Sequence, residues 1–584
     1  MDLYDQISDL GKRRSVIFPS FEIYGGVSGF FDYGPIGTLL KHNIENKWRQ
    51  LFVQSEGMVE IESTTIMPEQ IFQASGHLAH FTDMMTRCLS CNRSYRVDVL
   101  LGDLGIECPE GVSAEELDRR IEENNVKCPV CGGQISKSEP FNLMFQVKIG
   151  SYIGGITGYG RPEAAQGQFL DFKRIYASER ERLPLGIAQV GRCVRNEIAP
   201  RKGPIRLREF TIIDYEVFLD PEDPSYPRIK LVEDTVLRIL SVEQQTIGSD
   251  EVSEMTVRAA LDAGIVKNEV LCYFMALAGK FLEELGIPSD KQRFREALPE
   301  ERAHYSLQTF DQEVWLERWG WTEVSGHAYR TDYDLRNHMT HSGVDLRVYK
   351  AHDQPRKAIE LTVTPKKKQL ELNFGTENAQ MIVTLLSRSD ASIVAREVRE
   401  KGYYELTGPF PLRLTEEHIE VHTGEVEEAG RYFIPHVVEP SFGIDRILYA
   451  VLEYAYLERK GRIVLNIPRD VASVQACVFP LVNRDDLPKV AKGIYETLLR
   501  EGFTVEYDDS GSIGRRYARA DEIGVPICMT VDYQTLQDGT VTLRDVSTWK
   551  QIRSKVNTLS DILGDYLKKK VEFDQLGIVL PTNA

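Results

Sequence analysis

"RNEIAPRKGPIRLREF", Arg195 to Phe210, sets five basic side chains (Arg195, Arg201, Lys202, Arg206 and Arg208) against two acidic ones and ends on an aromatic ring. The flanking segments "GIAQVGRCVRNE" and "IRLREFTIIDYEVFLD" alternate in polarity, so they read as an antiparallel pair of strands joined by the loop "IAPRKGP". Side chains alternate faces along a strand. Arg206, Arg208, Phe210, Ile212 and Asp214 therefore share one face, and Ile205, Leu207, Glu209, Thr211 and Ile213 the other. With Arg195 and Glu197 at the end of the partner strand, the polar face suits a ligand that is both anionic and aromatic. Guanidinium groups bind phosphate oxygens, a phenylalanine stacks on a base, and Glu197 accepts from an exocyclic amine. A solvated strand laced with ion pairs has the same composition, and the hairpin alone does not decide between the two.

The chain around this hairpin has 584 residues, more than one hydrophobic core covers. Hydrophobic residues at 42% and charged ones at 27% describe an ordinary folded, multi-domain protein. Its 70 basic and 88 acidic residues give a net charge of -18, which argues against indiscriminate binding to polyanions or membranes but leaves room for a local basic site. The start, "MDLYDQISDL", lacks a basic region followed by an apolar run, and no apolar stretch is long enough to span a bilayer, so a cytoplasmic location is expected.

Leu39, Leu40, Ile44, Trp48, Leu51 and Phe52 recur at helical spacing, and a helix is expected to begin near Pro35, within a first core segment at 1–85. Paired cysteines and a Gly-Gly mark residues 86–140 as an inserted module. Strand-like alternation returns at 141–220, a mostly helical insertion is expected at 221–318, and strand pattern resumes at 319–344 with "WTEVSGHAYRTDYDL". Residues 345–430, with the basic run "PKKKQ", read as a mixed insertion. Within 431–460, "PHVVEPSFGIDRILYAVLEYAYLE" is a strand running into an apolar helix, and from 461 to 584 strands and helices alternate as in a separate α/β domain.

"CLSC" (Cys88, Cys91) and "CPVCGG" (Cys128, Cys131) form two C-x-x-C knuckles, the spacing of a tetrahedral thiolate site for structural Zn²⁺. Cys108 lies between them and competes less well as a ligand, while Cys193, Cys272, Cys477 and Cys528 sit in apolar contexts and read as core. His77 with His80, and His338 with His341, are spaced three apart without a matching acidic cluster, so they read as ordinary hydrogen-bonded histidines. The glycine-rich "GSYIGGITGYGR" matches neither phosphate-binding fingerprint and reads as a turn.

Three separated signatures resemble those of class II aminoacyl-tRNA synthetases, and specifically of glycyl-tRNA synthetases of the archaeal and eukaryotic homodimeric type. "FFDYGPIGTLLKHNIENKW" resembles motif 1, the opening stretch motif 2, and "EPSFGIDRILYAVLEY" motif 3; "RPEAAQGQF", "GHAYRTDYDL" and "SGSIGRRYARADEIGVP" resemble further hallmarks. The resemblance covers essentially the whole chain. It implies an α+β fold, with a catalytic antiparallel sheet of roughly six or seven strands carrying insertions, and a C-terminal α/β anticodon-binding domain. It also implies a homodimer that takes glycine, ATP with Mg²⁺, and tRNA(Gly).

By the same resemblance Arg195 holds the α-phosphate, Glu197 the adenine amine, Phe210 the adenine ring and Arg446 the γ-phosphate. Asn196, Ile205, Arg206, Leu207, Arg208, Glu209, Glu323, Val324, Gly443, Ile444 and Asp445 complete the implied ATP site. For the amino acid it implies Glu163, Glu439 and Ser441 around the ammonium and Arg330 near the carboxylate. Arg96, Thr211, Ile212, Ile213, Pro440 and Phe442 are implied in the same site. Asp214 departs from the family's usual glutamate, and its shorter side chain puts a direct contact with the ammonium in doubt. No editing domain is expected, because larger amino acids are excluded by bulk. Arg515, Arg516, Arg519 and Arg544 are candidates for contacts to tRNA. The rivals are a paralogue for another small amino acid and an inactive synthetase-like RNA-binding subunit.

Overall fold

The computed structural model describes residues 2–106, 112–151, 153–200, 203–387, 389–406 and 412–581. Cys108, Arg201 and Lys202 lie outside the described residues. The chain forms two compact units, Met1–Leu346 with Pro435–Ala584, and Arg347–Ile434.

The first unit is organised on a nine-stranded sheet. Its strands are β1 (Val59–Glu60), β2 (Leu185–Val194), β3 (Glu209–Leu219), β4 (Val236–Leu240), β5 (Ser253–Thr256), β6 (Gln292–Glu296), β7 (Gln308–Leu316), β8 (Gly320–Thr331) and β9 (His436–Gly443). Their order is β5-β4-β6-β7-β8-β9-β3-β2-β1, antiparallel throughout except where β1 meets β2 and β4 meets β6. Helices α1 (Pro35–Trp48), α2 (Ala165–Ser178), α3 (Glu269–Glu284), α4 (Tyr333–Ser342) and α5 (Ile444–Ala455) surround it.

One face of the sheet is the hydrophobic core. Ile44 and Trp48 of α1, Phe274 and Phe281 of α3, and Ile447 and Leu448 of α5 pack there against Ile213, Tyr215, Val217 and Phe442. The Phe52 ring lies 5.0 Å from both Trp48 and Phe442, so this interface is an interlocked aromatic cluster. Truncating such a residue costs about 3–5 kcal/mol. On the opposite face α2 covers one end, with Phe172 stacked on Phe218 at 4.3 Å. The rest of that face is left to the cavity described below.

The structure corrects three expectations. Residues 221–318 are not a mostly helical insertion: β4 to β7 all come from them and extend the central sheet, which is why it exceeds six or seven strands. In β7 the burial alternates residue by residue, a period-two signal carried partly by buried Gln308 and Gln312 and so hidden in a hydrophobicity pattern. The third correction concerns the hairpin, whose second strand begins at Glu209, after a 3-10 turn at Gly203–Ile205. Gly203 sits at φ +57, and a Cβ there would lie 2.6 Å from the Tyr4 hydroxyl, so the turn needs glycine.

Strands Thr82–Arg87, Ser94–Arg96 and Glu139–Asn142 form a small three-stranded sheet that carries the cysteine knuckles over a core of Val97, Leu101, Leu117 and Ile121. The C-terminal part has its own six-stranded mixed sheet between Ala476 and Val579. The second unit pairs Val348–Pro365 with Ile419–Phe433 as a long ribbon, and its helices pack through Leu370, Ile382 and Val394. No helix among the described residues is long and apolar enough to cross a membrane.

Candidate active site

Register sets the floor of the site. Asp214 of β3 faces Ser441 of β9, Ile212 faces Gly443, and on the other flank Gly326 and Ala328 of β8 face Ser441 and Glu439. A cavity of about 400 Å³ opens over these residues, within the usual range of ligand pockets of roughly 300–1,000 Å³.

At its mouth one cation of the opening stretch lies against two aromatic rings. The Arg195 guanidinium lies 5.1 Å from the centre of the Phe210 ring and 5.3 Å from that of Phe81, and its Nε donates to the Pro162 carbonyl at 3.0 Å. Arg206 donates to the Glu197 carboxylate from Nε at 2.7 Å, with Nη2 at 2.6 Å. Arg446, in the first turn of α5, donates from Nε to the Ile205 carbonyl at 2.9 Å and from Nη1 to Glu323 Oε2 at 2.9 Å. Its neighbour Asp445 is occupied within the protein, accepting from the Thr211 amide at 2.5 Å and from the Tyr33 hydroxyl.

The closed end is built from carboxylates around one buried cation. Arg330 of β8 donates to Asp334 of α4 at 2.8 and 3.0 Å and to Glu439 at 2.8 Å, and lies 3.6 Å from Glu163. Burial opposes its charge, but Asp334, Glu439 and Glu163 raise its pKa well above the ordinary value. Burial also opposes ionisation of Glu163, yet His77 at 3.5 Å and Arg330 hold its pKa below the usual carboxylate range. Glu439 goes the other way: burial, with Asp214 and Glu163 nearby, pushes it up to about 8 despite Arg330. Of the two glutamates beside Arg330, Glu163 is therefore held toward its charged form and Glu439 is biased toward its protonated form.

Asp214 is fully engaged. It accepts from the amides of Ala164 and Ala165 at 2.5 and 3.1 Å, where α2 begins, and from the Ser441 hydroxyl at 2.6 Å. Burial raises its pKa, with Glu163 adding to the effect.

The cavity wall includes Arg195, Glu197, Ile205, Arg206, Leu207 and Phe210 from the opening stretch, with Thr211, Ile212 and Asp214 beyond it. Glu163, Glu323, Val324, Glu439, Ser441, Gly443, Asp445 and Arg446 line it from other segments. Other expected residues stand apart from it. Ile213 and Phe442 face the core, and Ile444 is buried with them; Asn196, Glu209 and Pro440 are not in the wall. Arg208, expected on the ligand face, spends its guanidinium on the carbonyls of Glu197 and Ser28, because the chain is not yet a strand at that point. Arg96 reaches the site only at second hand, pairing at 2.9 Å with Asp83, which lies 3.7 Å from Arg206. Arg330, expected beside a substrate carboxylate, lies beneath the wall.

Sequence reasoning missed His77, Asp334 and Tyr305, whose ring centre lies 3.8 Å from the Arg330 guanidinium. Asp334 had a signal in its spacing of four from Arg330. Tyr305 had none, since its segment read as part of a helical insertion. Among the C-terminal candidates, Arg516 is buried on the carbonyls of Pro480, Asp509 and Gly511, Arg544 is buried against Asp521, and Arg519 is paired with Asp508.

The four knuckle sulfurs all lie within 4.8 Å of one another, with Cys88 to Cys131 at 3.5 Å and Cys91 to Cys128 at 3.7 Å. A tetrahedral Zn–S site with bonds of about 2.3 Å needs sulfurs about 3.8 Å apart, so the arrangement fits that ion.

An antiparallel sheet with its ligand cavity on one face, fed by a cationic hairpin and by a strand running into a helix, is the catalytic architecture of class II aminoacyl-tRNA synthetases. The fold agrees with that of a prolyl-tRNA synthetase from Cryptosporidium parvum solved with halofuginone and AMPPNP, at a TM-score of 0.51 and 12% identity over 97% of this chain and 76% of that one. Residues 475–566 match the family described as "Anticodon binding domain". The chain is 48% identical to the glycine–tRNA ligase of Aeropyrum pernix over 99% of both chains, and 43% identical to that of Methanocaldococcus jannaschii over 97% of this chain and 100% of the relative. It belongs to the glycine–tRNA ligase family.

Proposed function

We infer that the protein activates glycine with ATP and transfers the glycyl group to the 3′ end of tRNA(Gly). A glycine carboxylate oxygen attacks the α-phosphorus, the bond to the β-phosphate oxygen breaks, and pyrophosphate leaves glycyl-adenylate. A terminal ribose hydroxyl of the tRNA then attacks the glycyl carbonyl, and AMP departs. The observation that carries this reading is that one cavity has Arg195 against the Phe210 ring at its mouth and paired glutamates at its closed end.

In this reading Phe210 stacks on adenine, Glu197 accepts from its amine, Arg195 holds the α-phosphate and Arg446 the γ-phosphate. Neither step needs a protein nucleophile, so positioning and charge stabilisation by these groups carry the catalysis. Glu323, with Asp311 on the same wall, would hold Mg²⁺, which supplies charge neutralisation at the phosphates. Glu163, Glu439 and Ser441 receive the ammonium, while Arg330 orders the carboxylates from beneath. Glycine offers no side chain to grip, and a closed end formed by paired glutamates rejects larger amino acids by bulk.

Structural Zn²⁺ belongs to the same proposal, held by Cys88, Cys91, Cys128 and Cys131. So does a homodimer, to be checked by mass in solution. Of the four C-terminal arginines, Arg515 remains the candidate for tRNA. Amino-acid-dependent exchange of pyrophosphate into ATP tests the whole reading: glycine gives signal and alanine and proline do not, and a signal with either of the latter overturns it.

A further inference from the structure

Glu216 lies one strand step beyond Asp214 in β3, on the face that carries the cavity. It is 0% exposed, and among the described residues neither of its carboxyl oxygens has a hydrogen-bond partner. The register runs from Asp214 opposite Ser441 to Val217 opposite Val438, which sets Glu216 directly across from Glu439. Side chains so placed have Cβ atoms about 5 Å apart and touch readily. On its other flank β2 presents Ile187, which has no charge to offer.

The charged groups facing Glu216 are Glu439 from β9, Arg330 from β8, Asp214 from its own strand and Asp334 from α4. Arg330 directs its hydrogen bonds to Asp334 and Glu439 and makes its third ion pair with Glu163, and none of them goes to Glu216. An ionised Glu216 would be a buried anion without a hydrogen-bond partner, an arrangement that proteins avoid by keeping the proton. Burial first, and Glu439 second, place its pKa well above the usual carboxylate range. A protonated carboxyl is a donor, and it is the unpartnered donor facing Glu439.

We propose that Glu216 is a positioning residue for amino-acid recognition: a neutral acid whose O–H donates to the Glu439 carboxylate once the substrate ammonium has drawn Glu439 into its ionised form. The proposal rests on Glu439 as an ammonium ligand. The protons balance: glycine binding releases the Glu439 proton to solvent, and Glu216 keeps its own. Without glycine Glu439 is biased toward its protonated form, whose carbonyl oxygen is a weaker acceptor for the Glu216 O–H than the carboxylate is.

The test measures KM for glycine and for ATP by pyrophosphate exchange across neutral and mildly alkaline pH in the full chain and in E216Q, E216M and E439Q. E216Q keeps a donor, and its KM for glycine stays within about twofold of the parent. E216M keeps the shape and loses the donor; its KM for glycine rises at least about tenfold with KM for ATP unchanged, and the pH at which glycine binding improves moves upward. Equal effects of the two variants, or no effect of E216M, overturn the proposal. An E439Q variant with the parent's KM for glycine instead overturns the reading of Glu439 on which it rests. Infrared difference spectroscopy of the parent against E216Q reads the same residue without dependence on E216M folding. A protonated-acid band that persists on the alkaline side of neutrality supports the proposal, and its absence overturns it.

Discussion

At the mouth of the cavity Arg446 leans on one carboxylate and two carbonyls with a third of its side chain exposed, whereas at the closed end Arg330 is wholly buried among three carboxylates. On the proposed function the contrast follows from what each end would bind. A triphosphate brings many charges and displaces protein partners as it arrives, so its cations are held by contacts that are easily exchanged. Glycine brings only two charged groups and contributes little binding energy, so the protein settles the arrangement of its receptor in advance. That advance ordering removes an entropic cost which the small substrate could not offset.

Substitutions at the closed end should therefore damage folding, and those at the mouth only catalysis. The largest effect is expected for R330A, which leaves three buried carboxylates facing one another and costs about 3–5 kcal/mol, read as a lowered midpoint in chemical or thermal unfolding. R195A should leave that midpoint near the parent's and reduce glycine-dependent pyrophosphate exchange by roughly 10²–10³-fold. An R195A protein that unfolds as readily as R330A would break the comparison. D214A removes the acceptor of two amides and a hydroxyl, and is expected to cost about 2 kcal/mol and to raise KM for glycine more than KM for ATP.

A pH dependence sharpens the same contrast. Glu439 is raised from 4.5 to about 8 in the folded protein, so the stability it contributes is complete below pH 4.5 and is lost as pH climbs through about 8. The thermal midpoint of the ligand-free protein should fall over that window, and E439Q should flatten the fall. The smallest effect on the cavity is expected from C128S in the cysteine module. Metal analysis should show its zinc lost, while glycine activation falls by less than about tenfold, since the four thiols stand apart from the cavity wall.

The hairpin was legible because its period of two and the Pro and Gly of its loop are local signals, and Arg195, Phe210 and Glu197 meet in the cavity as that pattern requires. Arg208 escaped the pattern because strand geometry starts one residue after it. Strands β4 to β6 were hidden by being short, and β7 by burying glutamine where an apolar core position was looked for. The amide partners of Asp214 could not be read at all: they belong to a helix start 50 and 49 residues upstream, brought together only by tertiary packing. In the C-terminal part, composition could not separate an arginine that meets solvent from one buried against the protein's own acceptors, and Arg516, on carbonyls, and Arg544, on the Asp521 carboxylate, proved to be of the buried kind.

The place of Asp214 bears on how a cation can be received here. The start of α2 is the positive pole of a 14-residue helix, and unscreened it would repel an incoming ammonium group from the floor of the site. By capping those amides, the aspartate cancels the pole where it would do harm. Its interaction with Ser441 passes this electrostatic quieting on to the hydroxyl beside Glu439. A carboxylate one methylene shorter than the family's usual glutamate can thus serve substrate recognition without touching the substrate.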